Sequence, residues 1–73
     1  MAKGNGAVYR VTDVIGTSAN SWEEAARNAV KMASKSLRDL RIAEVTKLDV
    51  KVVDGKVTQF RTRLSLSFKY SSD

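Results

Sequence analysis

The sequence predicts an α+β fold: a β-α-β-β chain in which a three-stranded antiparallel sheet wraps around one helix. Three observations carry this. Ser21 to Leu40 repeats apolar side chains at steps of three and four. Two strand-like runs flank the dipeptide Asp54-Gly55. A third such run, Val8 to Ile15, precedes the helical stretch.

Taken in order, residues 1–7 are polar, with Gly4 and Gly6, and read as a disordered lead. Residues 8–70 make one domain, and 71–73 a frayed tail. Val8 to Ile15 is rich in Val, Ile, Tyr and Thr, the residues that suit a pleated surface. Gly16-Thr17-Ser18-Ala19-Asn20 is a turn. Ser21 followed by Glu24 predicts a capping box, each side chain satisfying the other's backbone N–H. The helix then places Trp22, Ala25, Ala26, Ala29, Val30, Ala33, Leu37 and Leu40 on one face. Glu23 and Glu24 complement the positive end of its dipole, and Lys35, Arg38 and Arg41 the negative end. Alanines let a helix lie close on a sheet but bury little area, so the sheet must supply the bulk.

Ile42 to Val53 and Val57 to Tyr70 are the remaining strands. Asp54-Gly55 between them fits a type I′ turn, which needs positive φ at both central residues. The last strand alternates cleanly. Phe60, Leu64, Leu66, Phe68 and Tyr70 face the helix, and Gln59, Arg61, Arg63, Ser65, Ser67 and Lys69 face away. Counting back from a two-residue loop sets Val45 opposite Leu64 and Ala43 opposite Leu66. The same count sets Leu48 opposite Arg61 and Val50 opposite Gln59. The outer face then carries Ile42, Leu48, Val50, Val52 and Val57. A soluble monomer does not leave such a strip to water, so the second face is expected to be buried against copies of the chain, around a ligand, or both.

A chain of 73 residues buries only about 60% of the surface its unfolded form exposes. Domains of this size lean on disulfides, metals or oligomerisation. There is no cysteine and no histidine, which removes thiolate metal sites and the commonest general base. Oligomerisation is the remaining staple. No nucleophile–base pair and no readable carboxylate pair is present, so no enzyme activity is expected. The net charge of +5 permits anionic partners. Aromatic and basic residues fall on opposite faces of the last strand, though, and do not interleave as a base-stacking platform requires. Nucleic acid is therefore not expected. No run approaches the ~18 apolar residues of a membrane span. The start has no apolar signal core, and a cytoplasmic location is expected.

At this point the residues resemble a family. Val8-Tyr9-Arg10-Val11, Ile15-Gly16-Thr17-Ser18, Ser21-Trp22-Glu23-Glu24-Ala25-Ala26 and Asn28-Ala29-Val30 look like the dodecins. Leu37-Arg38-Asp39-Leu40-Arg41, Glu44-Val45 and Val53-Asp54-Gly55-Lys56-Val57 continue the likeness in order. The resemblance implies a homododecamer, twelve copies in a hollow shell, that binds and stores small molecules and is not a catalyst. It implies a flavin-type ligand (FMN, riboflavin or lumichrome) held between subunits, with a tryptophan stacking on the ring and a glutamine bonding its polar edge. Here Ile42 stands at the tryptophan position and Arg61 at the glutamine position. Ile42 has no π-face, and Arg61 donates only. A flavin-free, calcium-binding branch of the family also carries an aliphatic there, and this chain is similar to that branch.

Two readings follow. One is a shell binding a flavin-type small molecule at a modified pocket near Ile42, Leu48, Arg61 and Arg63. The other is a flavin-free assembly that binds calcium or other ions, or is purely structural. Trp22 reads as a packing contact, and Ile42 as part of a subunit interface. Arg61 and Arg63 either grip a phosphate or carboxylate or form ion pairs between subunits with Glu44 or Asp49. The acids form no local calcium loop, so a calcium site has to be assembled between copies.

Overall fold

The computed structural model describes residues 7–69. The expectations for residues 1–6, for Tyr70 and for the tail lie outside the described residues. Within them run strand β1 (Tyr9–Ser18), helix α1 (Trp22–Ser36), strand β2 (Leu40–Val53) and strand β3 (Lys56–Lys69). The sheet is antiparallel with order β1-β3-β2, so β3 is central. This is the β-α-β-β arrangement the sequence predicts. No helix among the described residues is long and apolar enough to cross a membrane.

The hairpin turn forms as its dipeptide requires, with φ of 51° at Asp54 and 75° at Gly55. The helix start is half the expected capping box. Ser21 Oγ accepts from the Glu24 backbone N–H at 3.0 Å. The Glu24 carboxylate does not reach back, because its Oε1 accepts from Ser18 Oγ at 2.6 Å and Asn20 Nδ2 at 2.7 Å. Those bonds pin the β1–α1 turn and hold the Glu24 pKa below its ordinary value.

The helix ends four residues earlier than its periodicity predicts. Leu37 is already extended, with φ −111° and ψ 131°. Asp39 turns the chain at φ 57°, and its carbonyl accepts from the Lys69 N–H at 3.1 Å. Leu40 lies opposite Phe68 as a strand residue. Strand pairing outweighs the continued apolar spacing.

Ala25, Ala29 and Ala33 form the buried stripe of α1. Ala29 and Ala33 lie over Leu64, Leu66 and Phe68 of β3, the first two only 1% and 0% exposed. Helix and β1 approach closely at Gly16. A Cβ there would stand 2.0 Å from the Ala25 carbonyl oxygen and 2.8 Å from Ala29 Cβ. Thr62, also buried, donates from Oγ1 to the Trp22 carbonyl at 2.8 Å.

The expected register holds for Val45 with Leu64 and Ala43 with Leu66. It fails for Leu48 and Val50, which lie opposite Thr62 and Phe60. Two bulges cause this. Thr58 is an extra residue on β3, between the Val52–Val57 and Lys51–Gln59 pairs, and Thr46 is an extra residue on β2, between Lys47–Arg63 and Val45–Leu64. Each threonine bonds across the gap: Thr58 Oγ1 donates to the Lys51 carbonyl at 3.3 Å and Thr46 Oγ1 to the Arg63 carbonyl at 3.2 Å. Because side chains alternate, one extra residue inverts every face beyond it. Leu48, Val50, Val52 and Val57 therefore lie on the helix side of the sheet. Of the expected outer strip, Ile42 alone is on the outer face.

The helix packs on β1 and β3 and barely reaches β2. An apolar groove lined by Ala26, Val30, Ala43, Val45 and Leu64 runs between α1 and β2. Leu48, Val52 and Val57 remain exposed beyond it. The radius of gyration is 15.4 Å, against roughly 11 Å for a compact domain of this length. One chain leaves much of its apolar surface unpartnered.

Candidate functional site

The face of the sheet away from the helix is ordered in rows across β1, β3 and β2. Val11, Ser67 and Ile42 make one row, and Asp13, Ser65 and Glu44 the next. Ile15, Arg63 and Lys47 follow, then Thr17, Arg61 and Asp49. A mostly apolar row, an acidic row, a cationic row and a row holding the paired Arg61 and Asp49 thus succeed one another along β3. Ser65 Oγ donates to Asp13 Oδ1 at 2.7 Å within the acidic row.

Arg61 and Asp49 face each other with two parallel bonds, Nε to Oδ1 at 2.7 Å and the second guanidinium nitrogen to Oδ2 at 3.1 Å. The sequence expects such a pair between subunits, with Glu44 or Asp49. The structure forms it within one chain, because the Thr58 bulge brings Asp49 opposite Arg61. That bidentate bond holds the Asp49 pKa below its ordinary value, helped by the charges of Arg61, Arg63 and Lys47. It raises that of Arg61. A depressed carboxylate contributes stability that is present above its unfolded pKa and lost as pH falls through its folded one. Wild-type protein is therefore expected to lose more thermal stability than Asp49→Asn between about pH 6 and about pH 2. Equal losses in parallel melts of the two proteins would show the pair to be idle.

Of the four residues expected to line a pocket, Arg61 and Arg63 are neighbours on the outer face. Ile42 shares that face at 56% exposure, but its partner Ser67 lies six residues along β3 from Arg61, roughly 20 Å at strand spacing. Leu48 is on the opposite face, with Thr62. One chain does not bring the four together. Lys47 is the residue the sequence reading passed over. It stands directly opposite Arg63, and the alternation Lys47, Asp49, Lys51 on one face was the available signal. Trp22 is a packing residue, as expected. Its ring meets Phe60 edge-on at 5.1 Å, and its Nε1 donates to the Asp49 carbonyl at 2.9 Å.

Comparisons with known proteins agree on one family. The sequence model of the dodecin family matches residues 8–71. A calcium dodecin from Mycobacterium tuberculosis is 49% identical over 63 residues, covering 85% of this chain and 87% of that protein. A dodecin structure from Streptomyces coelicolor superposes with a TM-score of 0.87 at 38% identity, covering 96% of this chain and all of that one. A calcium dodecin crystal structure from Mycobacterium tuberculosis, described as calcium-chelating with a novel calcium-binding site, superposes with a TM-score of 0.79 at 44% identity, over 88% of this chain and 91% of that one. With the element order, the central β3 and the Asp54-Gly55 hairpin already in place, this chain belongs to the dodecin family.

Proposed function

We propose that the chain is the subunit of a homo-oligomeric, dodecin-type binding protein, twelve copies in a closed shell, that takes calcium rather than flavin. The observation that carries this reading is the 49% identity to a calcium dodecin. Ile42 supports it: this exposed aliphatic lacks the ring that flavin stacking uses, at about 1 kcal/mol for each aromatic pair. The groove beside β2 and the bare hairpin support the assembly, since a chain this open gains most from copies of itself.

One chain does not fit the ion alone. Among the described residues no group of three or more acidic side chains is close enough to hold a metal. Calcium takes about six to eight oxygens. Asp49 and Asp13 are also already engaged, by Arg61 and Ser65. The reading therefore requires oxygens from several copies, and no residue of a single chain is assigned to the ion.

Native mass spectrometry of the purified protein, with calcium and after chelation, tests this. A twelve-mer carrying calcium-mass adducts, with a higher melting temperature in calcium, is the expected result; a ligand at 100 times its Kd adds about 2.7 kcal/mol. Mass steps of flavin size would instead favour a flavin-type pocket assembled from Ile42, Leu48, Arg61 and Arg63 of different copies. A monomer would overturn the assembly itself.

A further inference from the structure

The Ile15–Arg63–Lys47 row of the outer face carries two cations that no salt bridge among the described residues neutralises; the carboxylates of the next row, Asp13 and Glu44, pair with neither. Lys47 and Arg63 are direct cross-strand partners, an arrangement of like charges that destabilises a sheet. Arg61 lies beside them, with its fork already committed to Asp49. Among the described residues the salt bridges are Arg61–Asp49 and Arg41–Asp39, so neither Lys47 nor Arg63 is in one. These side chains and Ile15 line a concavity of about 160 Å³. Three cations surround one carboxylate there, a net charge of +2.

This charge is placed, not scattered. Without the Thr58 and Thr46 bulges, the hairpin count would set Thr46 and Leu48 on this face opposite Arg63 and Arg61. The two register slips put Lys47 and Asp49 there instead. Asp49 then fixes Arg61 while leaving Arg63 and Lys47 with open donors. The guanidinium of Arg63 presents a planar fork and Lys47 a point charge, a combination suited to a tetrahedral oxyanion. The concavity is well below the ~300 Å³ at which pockets begin to enclose drug-sized ligands. It has room for an anionic group and not for an aromatic ring system.

We propose that Lys47, Arg63 and the Asp49-anchored Arg61 form a binding site for a phosphate-type oxyanion, either free phosphate or the phosphate end of a small molecule. The site is built from one chain and does not depend on the calcium reading. It is tested on the intact protein in chelator, so that calcium phosphate plays no part. Inorganic phosphate and glycerol phosphate are each titrated by calorimetry and by melting temperature, against chloride at matched ionic strength. Phosphate is expected to bind and raise the melting temperature where chloride does not. An equal response to both phosphates means that the group alone is recognised; a larger response to glycerol phosphate means that a small-molecule ester is the source. Lys47→Gln and Arg63→Gln are each expected to weaken binding roughly tenfold, the loss of one charge-assisted bond. Lys47→Gln without phosphate is expected to melt no lower than wild type, because it removes the like-charge pair. Binding unchanged in both variants, or a chloride effect equal to that of phosphate, overturns the proposal.

Discussion

Gly16→Ala is expected to cost about 3 kcal/mol or more of stability, the upper end of the overpacking range. The added methyl carbon would lie 2.0 Å from the Ala25 carbonyl oxygen. That oxygen is backbone inside a helix and has no rotamer to escape into. The second contact, Ala29 Cβ at 2.8 Å, is equally fixed, because Ala29 sits on the buried stripe against β3. Relief requires the whole helix to lift from β1, which opens the contacts of Ala29 and Ala33 with Leu64 and Leu66. Gly55→Ala is the matched control. Nothing lies within 4 Å of a Cβ there, and the residue has φ of 75°, so the cost is left-handed strain of about 1–2 kcal/mol. Urea melts of both variants at one protein concentration decide the matter. If Gly16→Ala unfolds at the same urea concentration as Gly55→Ala, the helix does not lie as close to β1 as the structure has it.

Leu66→Ala is expected to cost about 2–5 kcal/mol, with Leu66→Met below about 1.5 kcal/mol. Leu66 is fully buried on the central strand. It has Thr12 and Ala43 on either side and the helix alanines above it. None of these small neighbours can swing into the space that a leucine leaves. A domain of this length has roughly 4–11 kcal/mol in total, so the substitution removes a large share. Calorimetric or urea unfolding of the three proteins measures it. A loss under about 1 kcal/mol for the alanine variant would place the centre of the core elsewhere.

Most of the fold was legible because its signals are local. The positive-φ pair at Asp54-Gly55, the alternation of the last strand and the Ser21 cap each depend on a few adjacent residues. The helix end was not legible. Leu37 and Leu40 continue the apolar spacing of α1, and what stops the helix is a pairing with Phe68 and Lys69, some 30 residues away. The candidate site was half legible. Arg61 and Arg63 were identified, and so was Asp49 as a possible partner. Leu48 was misplaced and Lys47 overlooked for one reason: Thr46 and Thr58 are ordinary strand residues by type, and nothing adjacent marks them as bulges. A bulge is a property of two strands together, and a single strand's pattern of apolar and polar residues does not contain it.

The Thr58 and Thr46 bulges of the β2–β3 hairpin stand to each other as a frameshift and its suppressor; a third irregularity, between Leu40 and Ile42, lies beyond both. One extra residue on β3 throws the pairing out of phase, and one extra residue on β2 restores it, so both the turn and the Ile42–Val45 stretch keep the register of an unbroken hairpin. Between them, residues 47–51 are read in the other phase. This short window can exchange what it shows to the two sides of the sheet while Leu64, Leu66 and the Asp54-Gly55 turn stay where they are. Straightening either bulge alone, with its threonine kept, would shift every pair on one side of it. Straightening both with every residue kept would turn only the window over, withdrawing Lys47 and Asp49 and presenting the side chains that now lie beneath. A hairpin carrying such a pair can change its surface chemistry by a slip confined to its middle, with no substitution and no change of length.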